Sequence, residues 1–98
     1  MEKSSLFFIP ESSPEDIKKE KSAARILRKS SWWKRKLSTG VCDYCGMKFN
    51  PADLTMDHIV PLIRGGRSTK NNIAVCCKEC NNKKKHMLPM EWYEYLES

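Results

Sequence analysis

Cys42-Asp43-Tyr44-Cys45 and Cys77-Lys78-Glu79-Cys80 bracket the stretch Leu54-Thr55-Met56-Asp57-His58-Ile59-Val60-Pro61, and the reading of these three pieces decides the fold. Two cysteines separated by two residues sit on a tight turn that aims both sulfurs at one point. Two such turns complete a tetrahedral metal site. Cys77 and Cys80 repeat the interval of Cys42 and Cys45, whereas Cys76 lies one residue too early. Cys42, Cys45, Cys77 and Cys80 are therefore the expected ligands of a structural zinc ion, in a closed site with no open coordination position. Cys76 is expected to pack as a small apolar side chain. The bland alternative, four unrelated buried thiols, does not account for the repeated spacing.

Working outward, the chain has 98 residues, 40% of them hydrophobic. That is one domain with a small core, of the size that usually needs a metal or disulfides to hold it. The apolar run Leu6-Phe7-Phe8-Ile9 is too short for a leader or a membrane span. The chain is thus expected to be cytoplasmic, where thiols stay reduced and open to metal, and no membrane partner is expected. The formal net charge is +6, with nine Lys/Arg against Glu20 in residues 17–36 and seven against Glu79 in residues 63–86. Clustered cation suits a polyanion partner, although a solvated lysine-rich surface has the same composition.

Residues 1–13 read as a loose arm. Ser13-Pro14-Glu15-Asp16 has the pattern of a helix start, with Ser at the N-cap, Pro at N1 and acids in the first turn. No breaker follows until Ser38-Thr39-Gly40, so one basic helix is expected from Pro14 to about Leu37, forming a unit over residues 14–39. Residues 40–98 form the second unit. In it we expect a strand over 54–60, a glycine-containing loop over 61–71, a strand over 72–76, and short helices over 78–87 and 89–96. The fold class is small α+β.

Between the cysteine pairs run Asp57-His58-Ile59-Val60-Pro61, then Asn72-Ile73-Ala74-Val75, then Cys80-Asn81-Asn82-Lys83-Lys84. In this order and spacing, over residues 40–86, the chain resembles the HNH endonucleases, a branch of the His-Me finger (ββα-metal) nucleases. The resemblance implies that His58 is the general base and Asp57 a ligand of a catalytic divalent ion, Mg²⁺ or Mn²⁺. It implies that Asn72 holds the loop behind the base, that Asn81 is the second ligand, and that Lys84 touches phosphate. Asn71 and Asn82 compete for the two asparagine roles; the register against residues 73–75 and Cys80 favours Asn72 and Asn81. The implied reaction is hydrolysis of DNA to 5′-phosphate and 3′-hydroxyl ends.

Elementary chemistry supports these roles. An oxygen-only site with few protein ligands suits Mg²⁺, and a neutral imidazole suits base catalysis near neutral pH. Adjacent strand residues point to opposite faces, so Asp57 and His58 can share one phosphate only if the strand bends before Pro61. For DNA contacts we expect Arg64 and Arg67 on the glycine loop, Lys83, Lys84 and Lys85 after the proposed ligand, and Lys34, Arg35 and Lys36 on the basic helix. His86 is a surface or phosphate-contact candidate. Gly65-Gly66 would let backbone approach a phosphate. Trp32 and Trp33 suit packing better than base stacking, and Trp92, Tyr93, Tyr95 and Leu96 are expected to fold back as core. Phosphate contacts carry no sequence information, so nicking with weak sequence preference is expected. The alternatives are a zinc-stabilised nucleic-acid-binding adaptor and a nuclease subunit that needs a larger assembly, as in phage packaging, restriction or a mobile element.

Overall fold

The computed structural model describes residues 13–98. The expected arm, Ser13 excepted, lies outside them. Helix α1 spans Pro14–Arg28, and the Ser13 hydroxyl accepts the Asp16 backbone N–H at 3.1 Å. Glu15 and Asp16 in the first turn and Arg25 and Arg28 in the last complement the helix dipole. The expected single helix is broken, because Ser30 is extended and α2 starts afresh over Ser31–Ser38. The Ser30 hydroxyl donates to the Leu27 carbonyl at 2.7 Å and accepts the Trp33 N–H at 3.2 Å. It closes one helix and caps the next, the competition with the backbone ladder that short polar side chains offer. The break turns Trp33 into the core, where it is buried, while Trp32 is half-buried against it and has the Lys36 and Lys70 ammoniums over its ring.

Strands β1 (Leu54–His58) and β2 (Ile73–Cys77) form a two-stranded antiparallel ribbon, with Leu54 opposite Cys77 at one end and His58 opposite Ile73 at the other. β1 stops two residues before the expected end. There the Ile59 N–H turns to the Asn72 carbonyl and the Val60 N–H to the Asn72 side chain. β2 is buried throughout, which fits its unbroken Ile-Ala-Val-Cys-Cys run. Helix α3 (Lys78–Lys84) follows at once and is shorter than expected, since Lys85 takes a positive φ of 49°.

Helix α4 (Pro89–Glu97) closes the chain. Of its aromatics only Trp92 enters the core; Tyr93, Tyr95 and Leu96 are exposed, contrary to expectation. Trp92 stacks on Tyr95 and meets Tyr44 edge-on, each pair at 5.6 Å between ring centres. The core joins Trp33, Leu54, Ile73, Val75 and Trp92 to Cys42, Cys76, Cys77 and Cys80. Cysteine thus replaces much of the aliphatic volume that a domain of this size would otherwise use. Among the described residues no helix is long and apolar enough to cross a membrane.

Candidate active site and metal centre

The Leu54↔Cys77 end of the ribbon carries the thiols. The Sγ atoms of Cys42, Cys45, Cys77 and Cys80 all lie within 4.8 Å of one another, and Cys45 and Cys77 are 4.0 Å apart. Tetrahedral zinc with Zn–S bonds of ~2.3 Å wants sulfurs about 3.8 Å apart, so the cluster fits a zinc site. Burial pushes the Cys42 thiol up, but backbone N–H groups of Cys45, Cys77 and Tyr44 outweigh it and bring it down to about 7. Burial and the neighbouring thiols push Cys80 the other way. Four thiols this close cannot all ionise without a cation among them. Cys76 is fully buried, donates to the Cys77 carbonyl at 3.2 Å, and stands outside the cluster.

Tyr44, inside the first cysteine pair, links this end to the other. Its hydroxyl donates to Asp57 Oδ2 at 2.6 Å, and burial followed by that bond keeps the phenol protonated. The same oxygen meets Lys84 Nζ at 3.1 Å. Lys84 is 0% exposed, and its ammonium also donates to the carbonyls of His58 (3.2 Å) and Ile59 (3.1 Å). Its three donors are all used. The expected phosphate contact of Lys84 is therefore corrected: the side chain lies inside the protein and fixes Asp57 and the end of β1 instead. Both bonds fall on Oδ2, which leaves Asp57 Oδ1 open to another electrophile. Asn81 Nδ2 donates to Thr55 Oγ1 at 3.3 Å, while that hydroxyl donates to the Cys76 carbonyl at 3.0 Å. The Asn81 side-chain oxygen remains as a ligand atom.

His58 is the last residue of β1. Its Nε2 lies 2.9 Å from Ser68 Oγ, which in turn lies 2.6 Å from the Glu20 backbone carbonyl in α1. A carbonyl only accepts, so the single hydroxyl proton goes to Glu20, and Nε2 must carry its own proton toward Ser68. The basic lone pair is then on Nδ1. Burial, opposed by Asp57, lowers the imidazole below its ordinary 6.5, so the ring is neutral at pH 7. Glu20 also accepts the Ser68 N–H at 2.6 Å and meets Arg67 at 3.4 Å, which ties the glycine loop to α1.

Asn72 holds that loop from the other side. Its Oδ1 accepts the Val60 N–H at 2.9 Å, and its Nδ2 donates to the carbonyls of Val60 (3.1 Å) and Arg67 (2.8 Å). Gly66 is pressed against the same turn, where a Cβ would lie 1.7 Å from the Val60 carbonyl oxygen. The close approach that needs glycine here is thus to the protein's own backbone, not to a phosphate. Asn71 instead bonds Thr69, and Asn82 is exposed on α3.

Asp57, His58 and Asn81 line one groove of about 270 Å³, walled by Pro61 and Leu62, with Ile17 and Lys21 of α1 opposite. The bend expected before Pro61 is the end of β1 at His58. His86 and Lys85 lie at the rim of this groove. The other sequence-derived cations are dispersed. Arg64 is held by both Glu91 oxygens at 3.2 Å and by the His86 carbonyl, Arg67 by Glu20, and Lys83 by Glu79 at 3.0 Å. Lys34 and Arg35 are exposed on α2, and Lys36 sits over Trp32. None of these three borders the groove. Sequence reasoning missed Tyr44, Ser68 and the α1 residues. The signal for α1 was its own spacing, since Ile17, Lys21, Ala24 and Arg28 recur at helical intervals on one face.

A family model described as HNH endonuclease matches residues 42–95, more than half of the chain, and takes in both cysteine pairs and the whole groove end of the ribbon. No curated protein matches the chain.

Proposed function

This chain belongs to the HNH endonuclease family, and we propose that it nicks DNA by metal-assisted hydrolysis of phosphodiester bonds, with His58 as the general base. One observation carries the reading: a neutral imidazole held through Nε2 lies in the same groove as Asp57 and Asn81. Ser68 orients the ring and leaves Nδ1 to take the proton of an attacking water. Asp57 Oδ1 and the Asn81 side-chain oxygen would hold one divalent ion, Mg²⁺ or Mn²⁺. When bound, that ion would neutralise charge on the phosphate oxygens and the leaving oxygen. Lys84 and Tyr44 both bond Asp57 Oδ2 and so fix the orientation of its carboxyl group. Asn72 holds the loop that carries Ser68. One active site fits a nick with 5′-phosphate and 3′-hydroxyl ends, and reduced thiols fit work in the cytoplasm.

A second reading, a nuclease subunit that needs a protein partner, is favoured by Met90, Tyr93 and Leu96, which expose apolar surface on α4.

The deciding experiment is supercoiled-plasmid conversion in Mg²⁺ or Mn²⁺, comparing wild type with His58→Ala at equal zinc content. Wild type should accumulate nicked circles, and the variant should bind DNA yet cut at least ~100-fold more slowly. A variant that nicks at the wild-type rate removes His58 from the chemistry. A wild type that binds but never nicks alone, and does so when a partner is added, moves the reading to the subunit.

A further inference from the structure

Helix α1 packs against the turn after β1, at residues 62–64, and one of its faces carries Lys21, Ala24, Arg25 and Arg28. Ala24 is buried, 2% exposed, which lets the helix backbone approach closely, and the cations flank it. Beside the catalytic groove runs a second one of about 400 Å³, lined by Lys21, Ala24, Arg25, Arg28, His58 and Leu62. Lys21, His58 and Leu62 border both grooves, so the imidazole stands where the two meet.

The charge in the second groove is uncompensated. On the surface of the nuclease unit, Arg64, Arg67 and Lys83 are each neutralised at close range, by Glu91, Glu20 and Glu79. Among the described residues no carboxylate pairs with Lys21, Arg25 or Arg28, and no acidic side chain lines this groove. Glu20, the acid nearest in sequence, is already committed to Arg67 and the Ser68 N–H. Three cations converging on one concavity repel one another and leave a positive potential that an anion relieves.

We infer that this groove is a phosphate-binding subsite: Lys21, Arg25 and Arg28 hold the backbone of duplex DNA on the α1 side of the scissile phosphate. The inference rests on the nuclease reading for the identity of the substrate, and on geometry for the residues. It moves the grip on DNA from Lys34, Arg35 and Lys36 of α2, which lie away from both grooves, to the face of α1 beside the base. It also gives the N-terminal helix two tasks in one site, since the Glu20 carbonyl fixes the His58–Ser68 pair from the same element.

The test reads binding rather than cutting. Fluorescence anisotropy of a labelled duplex is followed across a KCl titration, without added divalent ion, for His58→Ala and for the same chain with Lys21→Ala, Arg25→Ala and Arg28→Ala. Each lost contact to duplex phosphate lowers the slope of log affinity against log salt by about 0.9. The triple variant should lose about 2–3 units of slope and at least tenfold in affinity at low salt. Arg28→Ala alone should lose about 0.9 unit, and Lys48→Ala, near the zinc cluster, should leave the slope in place. Helix content and bound zinc are checked for each chain, and the single variant carries the test if the triple one does not fold. An unchanged slope in a folded variant, or no binding by the parent, overturns the subsite. If the slope falls but wild type never nicks a plasmid, the subsite stands and the nuclease reading fails. If wild type nicks and the slope does not move, the subsite alone is lost.

Discussion

At the Leu54↔Cys77 end of the ribbon, four thiols on two local turns surround a point suited to one zinc ion. At the His58↔Ile73 end, five elements of the chain meet through polar side chains: Glu20 from α1, Ser68 and Asn72 from the loop before β2, Asp57 and His58 from β1, Lys84 from α3, and Tyr44 reaching across from the cysteine turn. The first end needs a metal to bring like charges together. The second is held by hydrogen bonds and one buried ion pair, each group finding its partner only after the chain has folded. The contrast teaches that structure and chemistry are separated along a ribbon of five residue pairs, and that Tyr44 couples them, because it sits between Cys42 and Cys45 of the thiol cluster while bonding Asp57.

The largest expected effect breaks the comparison at its thiol end. Removing zinc with a chelator, or replacing Cys42 with Ser, should unfold the domain, because structural zinc contributes on the order of 10 kcal/mol to folds of this size. Near-UV circular dichroism should collapse, and zinc should restore it in the chelated wild type. If the metal-free chain keeps its tertiary signal, the polar end holds the ribbon by itself.

A smaller effect tests the other end. Lys84→Met keeps the volume but leaves the Asp57 carboxylate buried without its cation, at a cost of about 3–5 kcal/mol. Urea unfolding of the zinc-loaded protein should show that loss with zinc content unchanged. A loss below about 1 kcal/mol would mean that the pair is solvated or easily replaced.

The smallest effect sharpens the picture within the polar end. Asn72→Ala removes three hydrogen bonds from the turn after β1 and should cost about 2 kcal/mol. Amide exchange at Val60 should accelerate while that at Val75, in the middle of β2, stays slow. Equal acceleration at both would show that the loop and the ribbon open as one unit.

The four-cysteine cluster was legible because its chemistry is local: two residues between cysteines already set the turn. The strands were legible from short apolar runs and α3 from the segment after the second cysteine pair, with ends that shifted by one to three residues. The break at Ser30 was not, because nothing in the periodicity of residues 14–37 says that a serine hydroxyl will serve both helices. Lys84 reads as a surface cation in the run Lys83-Lys84-Lys85, and only the position of α3 against β1 shows that its ammonium points inward. Arg64 likewise reads as free until α4 brings Glu91 to it.

By itself, then, the sequence determined the four-cysteine cluster, the small α+β class and the family, and it singled out Asp57, His58, Asn72 and Asn81 as candidates. These depend on spacing along the chain, which is visible in one dimension. Only the tertiary structure decided which nitrogen of His58 is basic, which lysine is buried, and which cations border the groove. Those are pairings between residues far apart in sequence, and a pairing has no signature until folding sets the distance that decides whether a charge meets a partner or water.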